Sequence, residues 1–468
     1  MVFSSIDFIF IFLPIFLAVY YFTVERYRNL CLLIFSLIFY GYGALKNPLY
    51  IVLMIVSVCV NYLLALGIDK YKDSDRKKKI TLAAGLFYNF GWLFVFKYAD
   101  FFGQTIGKIL KLGTAIDIPK LNLLLPIGIS FYTFQAVSYL VDVYRETSEV
   151  ERNLVNMAAY ITMFPQLIAG PIVRFGDISQ ELRNRELKYR DFIDGVKFFI
   201  LGLGFKVLLA NQIGNLWSDI SAIGVDSIST TLAWMGIYGY SLQLYFDFYG
   251  YSLMAIGLGK MMGFNLPANF NRPYISVTMT EFWRRWHMTL GTWFREYVYI
   301  PLGGNRKGSV RKYINLLIVW LLTGLWHGAD WNFLLWGLFL FVLTAMEKAC
   351  WGKYLEKHRW LGHIYMLFVI PLSWLMFVSE DLSFMGQYLQ RLAGIPGQNV
   401  FAQDYLKFAK LYGVLLAAGF ACSILPIQQI FEKMKNRLTG TIILAAVFAA
   451  CVYCMYMGMN DPFLYFRF

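Results

Sequence analysis

The chain has 468 residues, 58% of them hydrophobic and only 15% charged, with a mean hydropathy of +0.53 and a net charge of +13. About a quarter of the residues of a soluble domain are charged, so this composition excludes a soluble globular protein. The basic excess is confined to short loops between apolar runs, which is the distribution of a membrane topology signal and not of a nucleic-acid surface.

Runs of 18 or more apolar residues recur along the chain, each long enough to cross a ~30 Å hydrocarbon core as a helix. Lipid cannot satisfy backbone polar groups, and the period-2 alternation of a barrel is absent, so the runs predict helices. The first, IDFIFIFLPIFLAVYYF at 6–22, lacks a basic leader and a small-residue cleavage site. It predicts a retained membrane helix and not a signal peptide. Taken in order, spans are predicted over 5–24, 28–44, 48–67, 80–100, 121–143, 154–172, 191–212, 230–258, 313–327, 331–349, 361–379, 408–425 and 440–458. The loop DKYKDSDRKKK (69–79) holds six basic residues and 271–312 holds eight. Both are assigned to the cytoplasm by the positive-inside rule, as are the loops 174–190, 353–359 and 432–437. Alternation then places the N-terminus outside, and the weakly basic 380–407 reads as an outside loop.

Two regions do not fit simple hairpins. Pro126 and Gly128 interrupt the run 121–145. The segment 271–312 is too polar to span yet dense in aromatic residues, which suits interfacial or re-entrant helices. The expected fold class is an all-α polytopic integral membrane protein, organised as a single membrane-embedded domain over 1–468. The six cysteines include Cys451-Val-Tyr-Cys454, but no second ligand pair accompanies it. They are read as small packed hydrophobes, and no metal site is predicted.

The residues that can carry chemistry are few. His327, one of four histidines, lies in TGLWHGADW between apolar flanks. An ionisable group at membrane depth marks a function or serves as hydrogen-bonded glue between helices. His287 lies in EFWRRWHMTLGTWFREY, where Arg284, Arg285 and Arg295 suit an anionic or phosphate-bearing ligand or simply obey the topology rule. His358 and His363 lie in or just beyond a basic loop and read as bystanders. Asp247 is a lone carboxylate among apolar and aromatic residues, sharing a helical face with Gln243 and Tyr251. It either orients a catalytic group or anchors helices. No nucleophile elbow, HExxH, P-loop or dinucleotide fingerprint occurs. Histidine in a water-poor setting suits proton abstraction from a hydroxyl, and exclusion of water protects an activated acyl donor from hydrolysis. A transporter or flippase without covalent chemistry also fits interrupted helices with polar groups at depth.

Several stretches carry a resemblance. They are MVFSSIDFIFIFLPI (1–15), LLPIGISFYTFQAVSYLVDVYR (124–145), FPQLIAGPIVRF (164–175), LQLYFDFYGYSLMAIGLGKMMGF (242–264), 269–306 with its RRWH motif, LTGLWHGADWNFLLWG (322–337) and the terminal FLYFRF (463–468). The sequence resembles the membrane-bound O-acyltransferase (MBOAT) family over essentially its whole length. It is most similar to the bacterial branch that contains the alginate O-acetylation and teichoic-acid D-alanyl transfer membrane proteins. The resemblance implies an MBOAT-type ring of about 11–13 membrane helices, with re-entrant or interfacial helices around a central tunnel, in a bacterial plasma membrane. It implies that His327 is catalytic and that His287 is a second essential histidine. By the same token a cytoplasmic thioester donor, acetyl-CoA or a carrier protein, enters near the 271–312 segment, with Arg284, Arg285 and Arg295 as phosphate contacts. No cofactor is expected to be permanently bound. His327 deprotonates the acceptor hydroxyl, and Asn332 and Trp326 are the candidates to support the oxyanion. The acceptor is a partner acetyltransferase on the outside or an exported polysaccharide. D-alanyl transfer to teichoic acid is the alternative within the family.

Overall fold

The computed structural model describes residues 2–110, 119–398, 400–458 and Leu464. Among the described residues there are helices, turns and loops, and no strand. A helix occupies the place of every predicted span. Six are long and apolar enough to cross a membrane: Leu49–Lys70, Asp75–Lys108, Trp331–Lys357, Arg359–Val378, Asp404–Ile424 and Leu438–Tyr456. The helix Thr230–Met261 is longer than most of these, at 32 residues. Its residues 239–259 are buried on all sides, so tyrosine, glutamine and glycine replace the aliphatic side chains that lipid would demand.

The chain divides into two compact units, Met1–Gly195 with Leu258–Pro267, and Val196–Gly257 with Ala268–Phe468. The first unit is built on an aromatic core. Phe8, Phe12 and Phe16, one turn apart, pack with Phe39 and Phe164 at ring separations of 5.2–6.3 Å. Polar pairs tie its helices where water is absent: Asn61 and Asn89 exchange amide hydrogen bonds of 3.1 and 2.7 Å. Two expected spans change here. The run 121–143 becomes helical only at Ile129, because Gly128 is left-handed (φ 72°) and a Cβ there would collide with the Leu167 carbonyl. The run 154–172 breaks at Met163 (ψ 112°) into Leu154–Thr162 and the short Phe164–Leu167. Pro165 sits in the first turn of that second piece, where its missing N–H costs nothing.

The helix Tyr189–Gly204, which belongs to the second unit from Val196 on, continues through a π-helical stretch, Phe205–Ala210, into Asn211–Ile223. The segment 271–312 does not span. It folds as Met279–Arg285 and Met288–Phe294, the latter running on through a π turn, Arg295–Tyr299. Met279, Phe282, Trp286, His287, Leu290 and Trp293 are all buried, which favours the re-entrant alternative over an interfacial helix. Glu347 holds its start: the buried carboxylate accepts from the backbone N–H groups of Met279 and Thr280 and from the hydroxyls of Thr280 and Tyr365. A carboxylate at a helix N-terminus satisfies donors that the helix itself cannot. The expected outside loop 380–407 contains a helix, Leu382–Leu392, whose buried Arg391 reaches the carbonyl of Val225 and the carboxylate of Asp226.

Candidate active site

Helices Gly308–His327 and Trp331–Met346 cross closely because each presents a glycine at the contact. A Cβ on Gly324 would strike the Phe333 carbonyl, and one on Gly337 would strike that of Trp320. The turn between them is equally tight. Gly328 is extended (φ −163°) with no room for a side chain beside the Phe333 ring, and Asp330 caps the second helix by accepting from the Trp331 N–H at 2.6 Å. His327 is therefore the last helical residue before a rigid corner. Its ring lies edge-on to Trp326, Trp336 and Phe377, with centroids 4.9, 5.1 and 5.2 Å away, and it is 8% exposed.

His287 is held differently. It occupies the left-handed region (φ 43°) between the two short helices, a conformation unusual outside glycine. Asn269 Oδ1 accepts from the Thr289 N–H and hydroxyl, which fixes the orientation of the amide. The same oxygen lies 3.1 Å from His287 Nδ1, so Nδ1 must be the protonated nitrogen and Nε2 carries the lone pair. That Nε2 is buried with no hydrogen-bond partner among the described residues. Burial drives the His287 pKa down to about 3. Its ring packs on Phe248 at 4.7 Å and on Trp326 at 5.9 Å. Trp326 thus touches both histidines, and two residues forty positions apart in sequence share one aromatic partner.

A cavity of about 320 Å³ opens beside this cluster, lined by Trp217, Tyr240, Gln243, Asn332, Phe333 and Phe377 among others, with Asp330 and Glu380 also on its wall. Phe377 belongs both to this lining and to the shell of His327. Asn332 Nδ2 donates to the Ser379 carbonyl at 2.9 Å. Its free group is the acceptor Oδ1, the wrong polarity for an oxyanion.

The remaining expected residues fall outside the cluster or do other work. Asp247 pairs with Lys206 at 2.7 Å and accepts from the Leu464 N–H at 2.9 Å; the two charged side chains are 4% and 2% exposed. These contacts fit the helix-anchor alternative. Arg285 is braced by Glu281 and the Asn271 carbonyl, whereas Arg284 and Arg295 are exposed. Apart from Leu464, the terminal motif 463–468 lies outside the described residues. Sequence reasoning passed over Lys206 and Asn269. Lys206, a lone cation in FFILGLGFKVLLA, carries the signal that singled out Asp247; Asn269 has none. No group of three or more potential metal ligands occurs among the described residues.

The neutral state of His287 is testable. Nitrogen-15 NMR of histidine-labelled protein should show the Nδ1-protonated neutral ring down to about pH 5. The unfolded state takes up a proton below an ordinary pKa of about 6.5. Stability is therefore expected to hold above that pH and to fall as pH drops towards 3. A His287 resonance titrating near pH 6.5 would contradict the burial argument.

Comparison with known proteins places this arrangement. Residues 149–358, which contain both histidines, match the model of the membrane-bound O-acyltransferase family. The chain is 40% identical over 463 residues to the probable alginate O-acetylase AlgI of Pseudomonas putida, covering 98% of this chain and 88% of that one. The chain belongs to the membrane-bound O-acyltransferase family. Against the Pseudomonas aeruginosa probable alginate O-acetylase AlgI the identity is 41% over 386 residues, 82% of this chain and 73% of the relative. The peptidoglycan O-acetyltransferase of Helicobacter pylori is 34% identical over 435 residues, 85% and 80% of the two chains. The protein is a multi-pass membrane acyltransferase, and the family match contains His287, Trp326 and His327.

Proposed function

We propose that this acyltransferase, seated in the inner membrane of a bacterium, moves an acetyl group from a cytoplasmic thioester, acetyl-CoA, to a hydroxyl on the far side, for O-acetylation of an exported polysaccharide. The observation that carries the reading is the meeting of His327 and His287 at Trp326, beside a cavity with an aromatic wall. Relatives named for O-acetylation of alginate and of peptidoglycan support the substrate class.

In this reading His327 removes the proton from the acceptor hydroxyl as the oxygen attacks the thioester carbonyl. The tetrahedral intermediate collapses by breaking the C–S bond, and the leaving thiolate takes the proton back from the imidazolium. An ester and a free thiol result. His287, neutral and too weak a base to compete near neutral pH, serves through the Nε2 lone pair held ready by Asn269. Oxyanion support falls to the Trp326 indole N–H, since Asn332 donates elsewhere. Exposed Arg284 and Arg295 are the donor's phosphate contacts, and braced Arg285 shapes that surface. The acceptor hydroxyl belongs to a partner protein that passes the acetyl group on, or to the glycan.

Membranes supplied with acetyl-labelled coenzyme A are expected to accumulate label in an alkali-labile ester, and membranes supplied with a D-alanyl-charged carrier protein are not. Label from the carrier protein alone would replace acetyl by D-alanyl transfer. No ester from either donor would contradict both thioester donors and with them the proposed reaction.

A further inference from the structure

The helix Arg359–Val378 begins with a cation and then turns apolar along one face: Arg359, His363, Met366, Leu367, Ile370 and Pro371 fall at helical spacing. Opposite this stripe stand Tyr238 and Leu242 of Thr230–Met261 and Phe420, Ser423 and Ile424 of Asp404–Ile424. Together they enclose a groove of about 420 Å³ that shares no lining residue with the cavity beside His327.

The backbone around the groove is satisfied in a way that keeps its wall apolar. Pro371 has no N–H, so the Leu367 carbonyl one turn earlier loses its helical partner. The Tyr238 hydroxyl donates to that carbonyl at 3.0 Å, and the Tyr274 hydroxyl donates to the Ser241 carbonyl at 2.7 Å. The rim is apolar too: Leu367 is 49% exposed and Ile424 52%, on two helices fit to cross the membrane. From Arg359 to Pro371 the helix rises ~18 Å, close to half of a ~30 Å hydrocarbon core. The groove is therefore one leaflet deep. Its basic end belongs to the 353–359 loop, placed in the cytoplasm by charge, and exposed Arg359 has no ion-pair partner among the described residues. A plain apolar groove would hold any tail; the guanidinium at its end selects an anionic head.

We propose that this groove binds one anionic phospholipid of the cytoplasmic leaflet, with its phosphate on Arg359 and one acyl chain along Met366, Leu367 and Ile370. The test uses full-length protein extracted from bilayers of phosphatidylcholine doped with phosphatidylglycerol, with retained lipid weighed by native mass spectrometry. Wild type should keep a single phosphatidylglycerol in preference to phosphatidylcholine. Arg359→Gln, an exposed substitution that leaves the fold alone, should weaken that binding about five-fold. Leu367→Trp, which fills the groove, should lose both lipids. Equal retention of the two lipids by wild type, or undiminished phosphatidylglycerol in either variant, would overturn the proposal. So would displacement of phosphatidylglycerol by coenzyme A, which would give the groove to the acyl donor.

Discussion

His327→Ala is expected to lower acetyl transfer by about 10²–10⁴-fold, the usual contribution of a positioned general base. The loss should appear in kcat, because the imidazole acts on the reacting hydroxyl and contributes little to holding either substrate. Alanine also leaves a void among Trp326, Trp336 and Phe377, so a drop in activity alone does not separate chemistry from packing. His327→Gln separates them. Glutamine fills much of the space and retains hydrogen-bonding atoms but cannot accept the proton, so it should be as inactive as alanine while keeping wild-type thermal stability. His358→Ala, on a histidine that packs at a tilt against Tyr354 in a basic loop, should leave the rate unchanged. Initial rates from labelled acetyl-CoA, at matched membrane expression, provide the measurement. A His327→Gln enzyme with near-normal kcat would remove the base from the mechanism.

The second large effect is on stability. Lys206→Met should destabilise the protein by roughly 3–5 kcal/mol, because it removes the counter-charge of the Asp247 carboxylate from a site that is only a few per cent exposed. Asp247→Leu should cost a similar amount for the mirror-image reason, and it also releases the Leu464 N–H. The double variant Lys206→Met/Asp247→Leu removes both charges together and should recover much of the loss, since a buried pair yields little net stability over apolar residues of like volume. Thermal unfolding in detergent, followed by loss of the monodisperse peak, reads all three variants. Additive losses in the double variant would contradict the pairing.

The hydropathy runs made the helices legible, because lipid admits few alternatives to a helix. They did not tell helices that face lipid from helices that face protein. Thr230–Met261 shows why: its tyrosines and glycines dilute hydropathy because the neighbours they pack against are other side chains. Local signals in the sequence suffice where the cause is local, as at Pro126 and Gly128. The breaks they forced had to wait for backbone angles, and Met163 carried no signal of its own. In the candidate site, the histidines stood out because ionisable groups are rare in apolar surroundings. What they touch was not legible. Asn269 fixes the His287 tautomer from eighteen residues away, and Trp326 joins the histidines through tertiary packing. Asp247 illustrates the same limit: a lone carboxylate signals that a partner exists, while the choice of Lys206 over a histidine is decided by how helices pack. Asn332 is a candidate oxyanion donor by its amide, yet its N–H group is turned to the Ser379 carbonyl.

In the proposed reaction His327 drives passage of an acetyl group from a cytoplasmic thioester to a hydroxyl on the opposite side of the membrane. The most direct measurement loads acetyl-labelled coenzyme A inside sealed, right-side-out vesicles carrying wild type or His327→Gln, and follows ester-linked label on the external acceptor. Wild type should deliver label outside with release of free thiol inside, and His327→Gln should deliver none at equal expression. External label of the same yield from His327→Gln would contradict the claim.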